Sequence, residues 1–175
     1  MENTEQPKKA SLAAASFTYG LLTAIGLILI TLLTYLFNLT EVRWISYLSF
    51  VVLIAGIILG TIKFRDDDLG GFISYGRALG LGTLISLFAS LISGVFVYIF
   101  YSFIAPDAFE QIRILAEQRM IEANPDITDQ QLDMAMRMTT PLMGFISTLF
   151  SITFIGFVFS LATSAFLKKK DPLEV

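Results

Sequence analysis

Four long apolar runs without a single charged residue dictate what this chain can become. They cover 11–37, 44–62, 78–104 and 141–167. Each matches or exceeds the roughly 20 residues, give or take a few, that carry a helix across a bilayer core. At that depth no water is available to the backbone, so each run must close its hydrogen bonds internally as helix. Composition agrees: 55% of the 175 residues are apolar and only 15% are charged, where a soluble domain carries about 25% charged residues. A soluble fold could not hide this much apolar surface without exposing large patches. The expected fold is all-α, a single integral membrane domain. It is an integral membrane four-helix bundle of two transmembrane hairpins.

The polar breaks divide the chain. Residues 1–10 form a tail, 63–77 a loop between the second and third spans, and 168–175 a second tail. Lys8-Lys9 before an apolar run resembles the start of a secretory signal, but the apolar core of a signal is about 7–15 residues long with small residues after it. Here the run is longer and Ala13-Ala14-Ala15 stand at its start, so a retained helix is expected. The 105–140 segment is the only extended polar stretch. Ala108, Phe109, Ile112, Leu115, Ala116 and Met120 recur at helical spacing, and Asn124-Pro125 ends that pattern. Thr128 with Gln131 makes a capping box for a second helix with Leu132, Ala135, Met136 and Met138 on its apolar side. Thr140 and Pro141 suit the cap and first position of the last span.

Lysine and arginine collect in short cytoplasmic loops. With the amino terminus inside, Lys8, Lys9, Lys63, Arg65, Arg77, Lys168, Lys169 and Lys170 fall inside, and Arg43, Arg113, Arg119 and Arg137 outside. Both termini are therefore expected in the cytoplasm. The 105–140 segment is then an extracytoplasmic helical hairpin, acidic through Asp107, Glu110, Glu117, Glu122, Asp126, Asp129 and Asp133. Tyr35, Trp44, Tyr47, Tyr98 and Tyr101 fall near the outer interface as an aromatic belt. Lys63, Arg65, Arg77 and Lys168-Lys169-Lys170 read as membrane anchors, with Arg77 able to pair with the preceding aspartates.

Small residues permit close helix approach in lipid. Ala78, Gly82, Ser86, Ser90 and Gly94 step by four along the third span. Gly144, Thr148, Gly156, Ser160 and Ser164 keep that spacing along the fourth, interrupted by Ile152. Gly56 and Gly60 mark the second, and Gly20 and Ala24 the first. These seams serve packing within one bundle, or alternatively a homodimer. Phe17, Tyr19-Gly20 and Phe72, Tyr75-Gly76 open the first and third spans alike, an echo of a duplicated hairpin.

Chemistry has few handles here. The chain has no Cys and no His, which removes the thiol nucleophile, the commonest general base and the commonest metal ligand. An enzyme is not expected. A carboxylate enzyme would have to gather two of Glu110, Glu117 and Asp133 in one pocket. Asp66-Asp67-Asp68 is the one weak metal candidate, read first as a solvated turn that Gly70-Gly71 reverses. No ionisable residue stands deep in a span, where ion-coupled carriers place theirs. Thr23, Thr31, Thr34, Ser86, Ser90, Thr148 and Ser151 are the only polar groups a transporter or channel subunit could use.

The run Gly70-Gly71-Phe72-Ile73-Ser74-Tyr75-Gly76-Arg77-Ala78-Leu79, the turn Ile104-Ala105-Pro106-Asp107 and the pair Met143-Gly144 resemble a bacterial inner-membrane family, domain-of-unknown-function family 4199. The resemblance covers essentially the whole chain. It implies four membrane helices with an outward hairpin between the last two, and it carries no catalytic, cofactor or binding residue. The expected role is a structural or protein-interaction component of the inner membrane. Its partners are the lipid bilayer and a second copy or a membrane protein met through residues 106–140. No nucleic acid and no cofactor are expected.

Overall fold

A computed structural model describes residues 11–37, 39 and 43–169. Residues 1–10 (with Lys8 and Lys9), Glu41, residues 170–175 and the side chain of Arg43 lie outside the described residues. The described chain is helical almost throughout. Helix α1 spans Leu12–Leu36 and α2 Arg43–Lys63, followed by a π-helical turn at Phe64–Asp68. Helix α3 spans Tyr75–Ile99 and ends in a second π-helical turn at Phe100–Ile104. Helices α4 (Pro106–Ala123), α5 (Asp129–Met138) and α6 (Pro141–Leu167) complete the chain. Helices α1, α2 with its turn, α3 with its turn, and α6 are long and apolar enough to cross a membrane.

Local chemistry explains most boundaries. The Thr140 hydroxyl accepts the Met143 amide at 3.3 Å and Pro141 opens α6. Thr128 and Gln131 form the expected reciprocal capping box of α5. Asn124 ends α4 ahead of Pro125. Two boundaries move inward on the expected 63–77 loop. Helical winding carries on past Lys63 to Asp68, because buried Phe64 holds that turn against the core. Ser74 then caps α3 by accepting the Arg77 amide at 3.4 Å, so α3 begins at Tyr75 rather than Ala78. The remaining reversal passes through Gly70 and Gly71, whose φ angles of 66° and 93° favour glycine.

Helix α3 is the hub. It packs most extensively on α6 and next on α1, while α2 touches α1, α3 and α6. The α3–α6 seam is antiparallel and built from the small residues: Ser86 fills the space over Gly156, and Ser160 that over Gly82. Ala78 and Ser164, each 1% exposed, continue it at one end. Gly94 receives the ring of Phe145 at the other. Ser90 meets Thr153 across the seam at 2.9 Å. Gly20 and buried Ala24 lie on α1, where Gly20 faces Ile85 and Phe88. On α2, Gly56 faces Thr23, and Gly60 faces Ile85 and Tyr19. Gly144, by contrast, has only ordinary contact with Val97. A Cβ at Gly76 would meet nothing within 4 Å, unlike one at the buried Gly20, so the two Tyr-Gly pairs occupy unlike environments.

A Cβ at Gly156 or Gly82 would overlap the facing serine. Gly156→Ala and Gly82→Ala should each lower stability by about 1–3 kcal/mol, the usual cost of overpacking. Gly80→Ala, with open space around it inside α3, should be neutral or stabilising by up to about 1 kcal/mol. Thermal unfolding in detergent micelles checks this; an equal effect at all three positions would refute the seam.

Candidate functional site

Polar side chains gather at two opposite ends of the molecule. At one end the α2–α3 connection clasps the end of α6. Arg65 donates to the Leu167 carbonyl at 3.3 Å and makes two bonds to the Asp66 carboxylate, 2.7 and 3.1 Å long. A cation at the carboxyl end of a helix meets both its free carbonyls and its dipole. Beside it Ile73 and Lys169 exchange backbone hydrogen bonds, each 3.0 Å, in an antiparallel bridge. The Lys169 ammonium stands 5.6 Å from the Phe72 ring centroid, within cation–π range. Phe64 and Ile73, each 2% exposed, seal the clasp from below.

The expected anchors therefore divide. Lys63 pairs with Asp67 at 3.7 Å, with both side chains exposed. Arg65 and Lys169 are built into the clasp, and exposed Lys168 caps α6 through its backbone amide. Arg77 is exposed in the first turn of α3 and makes no ion pair among the described residues. The expected pairing of Arg77 with the aspartates is replaced by Lys63–Asp67 and Arg65–Asp66, because α2 carries those acids onward on its own helical turn. Asp66, Asp67 and Asp68 do not converge: among the described residues no group of three or more potential ligands could hold a metal ion.

At the other end an aromatic cluster joins α1, α3 and α4. Phe100, 2% exposed, meets Tyr35 edge-on at 5.2 Å, stacks with Phe96 at 5.4 Å and touches Tyr101. Tyr101 in turn meets Phe109 of α4 at 5.7 Å. Trp44 and Tyr47 of the expected belt are exposed at 63% and 67%.

Beyond this cluster α4 and α5 enclose a cleft of about 280 Å³. Glu110, Arg113, Ile114 and Glu117 line it from α4, and Asp129, Leu132, Asp133 and Met136 from α5. All three acids named for a carboxylate enzyme thus share one cleft. Glu110 holds Arg113 at 2.9 Å and Asp133 holds Arg137 at 2.9 Å. Neither helix has a buried residue. The expected apolar positions on α4 are half-buried, as are Leu132, Ala135 and Met136 on α5, whereas Met138 turns outward at 58% exposure.

The hydroxyls available to a transport path are largely committed to their own helices. Thr23, Thr31 and Thr34 donate to the carbonyls of Tyr19, Leu27 and Ile30. Ser86 donates to Gly82 and Ser90 to Leu87. Such back-bonding satisfies a hydroxyl without a ligand. Ser151 lies on the exposed side of α6, and Thr148 is half-buried.

Sequence reasoning missed Ser74, Thr153, Phe64, Phe72 and Ile73, and the contact of Arg65 with α6. Ser74 had a usable signal, a capping residue three before Arg77. The others depend on which helix ends meet, which no local pattern announces.

Replacing Arg65 by Met should loosen the clasp by removing a bond to a charged donor. Amide exchange at Lys169 and Ile73 should rise about fivefold to tenfold, while Arg77→Met should leave it unchanged. Equal protection in wild type and Arg65→Met, measured by hydrogen exchange, would refute the clasp.

Compared with known families, residues 18–169 match the model of a family described as "Protein of unknown function (DUF4199)". The match reaches from α1 to Lys169, so it includes the clasp and the α4–α5 cleft. Comparison with curated proteins and with solved structures gave no match.

Proposed function

The chain belongs to the DUF4199 family, and we propose that it is a structural or protein-interaction component of the bacterial inner membrane. In this reading both termini are cytoplasmic, the spanning helices form a four-helix bundle of two hairpins, and α4 with α5 forms the extracytoplasmic, partner-facing surface. One observation carries it: α4, opened by Pro106, and α5, opened by its capping box, are regular helices with apolar residues, yet no residue of either is fully buried. A folded element with nothing to cover it marks a contact surface.

The charges support the orientation. Lys63, Arg65, Arg77, Lys168 and Lys169 lie in or beside the clasp, where the positive-inside rule puts cytoplasm. Glu110, Glu117, Asp129 and Asp133 lie at the other end, in the cleft. A non-catalytic role is supported by the pairing of Glu110 and Asp133 with arginines of their own helices, which leaves those carboxylates engaged. A transporter or channel subunit is the competing reading. The self-bonded hydroxyls of α1 and α3 leave it little to work with.

Two measurements test the proposal. Alkaline phosphatase fused after Met120 should be active and green fluorescent protein fused after Val175 should glow; the opposite pattern reverses the topology. Deleting Asp107 to Met138 should abolish at least one co-purifying membrane protein. An unchanged set would sink the partner-surface reading.

A further inference from the structure

We propose that the α4–α5 cleft receives one basic side chain, arginine or lysine, presented on an amphipathic helix of a protein partner. The inference rests on the reading of α4 and α5 as the partner-facing surface and names the partner's chemistry. Four carboxylates and one guanidinium line the cleft. Arg113 is taken by Glu110, and Asp133 is taken by Arg137. Glu117 and Asp129 have no cationic partner among the described residues. One comes from each helix, so the unmatched negative charge has two sources across the opening.

The remaining lining decides what kind of cation fits. Ile114, 49% exposed, Leu132 and Met136 supply apolar wall between the acids. A bare metal ion would leave that wall wet, and the acids do not converge as a ligand set. A long basic side chain matches both parts, with its methylene stem on the wall and its head at the carboxylates. At about 280 Å³ the cleft falls just under the range of about 300–1,000 Å³ typical of small-molecule pockets. It suits one side chain, and further contact must come from the surface around it. Ile121, one helical turn beyond Glu117 on α4, is exposed there at 44%. The acidic rim disfavours anionic headgroups as the occupant.

The test uses the full chain in nanodiscs of zwitterionic lipid. The probes are a fluorescent amphipathic helical peptide with one central arginine and its counterpart with neutral, isosteric citrulline. Fluorescence anisotropy should show the arginine peptide binding about fivefold tighter, the scale of one partly exposed ion pair. Glu117→Gln alone should reduce that preference, and Glu117→Gln with Asp129→Asn should abolish it. Circular dichroism confirms that the helices persist, and the single variant spares the acidic first turn of α5. Equal binding of the two peptides, a preference unchanged in both variants, or no binding at any soluble concentration overturns the proposal. A benzophenone side chain at Ile121 in intact membranes separates the two levels. If it captures no protein, the partner-surface reading fails. Capture combined with equal arginine and citrulline binding leaves that reading standing and removes only the basic side chain.

Discussion

The close approach of α3 to its neighbours is the constraint on which the rest of the structure depends. In water, burying apolar area would drive helices together at about 25 cal/mol per Å². Among lipid tails that drive is missing, and association rests on shape. Here the shape is serine against glycine in both directions: Ser86 sits over Gly156 and Ser160 over Gly82. Gly20 does the same for α1 against Ile85 and Phe88. Helix α6 shows how narrow such an attachment is. Its buried residues are Gly156, Ser160 and Ser164, while Phe150, Phe154 and Phe166 stand 71%, 68% and 87% exposed. Bulky aromatic surface is thus turned toward lipid, and the helix is held along one ridge.

Serine suits that ridge for a second reason. A helical serine or threonine can satisfy its hydroxyl on the carbonyl a turn before it, although the buried hydroxyls of Ser93 and Ser160 make no hydrogen bond among the described residues. Ser86 bonds Gly82 this way and Thr61 bonds Ile57. Ser90 also reaches Thr153, a contact of a kind worth about 0.6 kcal/mol in a membrane protein. The same side chains that looked like stations on a polar path therefore serve packing. What remains for function is whatever lies outside the seams.

How much of this was legible follows from the range of each interaction. The spans were readable because a charge in hydrocarbon is costly over every residue of a run. Thr128 with Gln131 and Thr140 with Pro141 were readable because caps are local. The seam residues were readable as small, but their partners were not. A four-residue step on α3 fits α6 or α1 equally until the topology sets one on each side. The loop was legible only in part for the same reason. Its aspartates are exposed and Gly70-Gly71 reverses it, but that Phe64 keeps α2 winding and Arg65 crosses to Leu167 was not visible. That bond joins residues far apart in the chain, and neither flank encodes it. In the cleft, each acid was visible singly. Their gathering required knowing that α5 folds back along α4.

The two ends of the molecule now argue for different roles. At the clasp, several polar groups find partners inside the chain, Arg65 with Leu167 and Asp66, Lys63 with Asp67, and the Lys169 backbone with Ile73, while Arg77 makes no ion pair among the described residues. Such an end holds helices in place and offers little to a visitor. At the cleft, the matching is incomplete. Glu117 and Asp129 are left over, and Ile114 and the neighbouring Ile121 are uncovered. Marginal stability gives a protein little reason to keep a helix pair that its own fold leaves only half-buried. Its burial has to come from somewhere other than this chain, and the charge left over says what the visiting surface must carry.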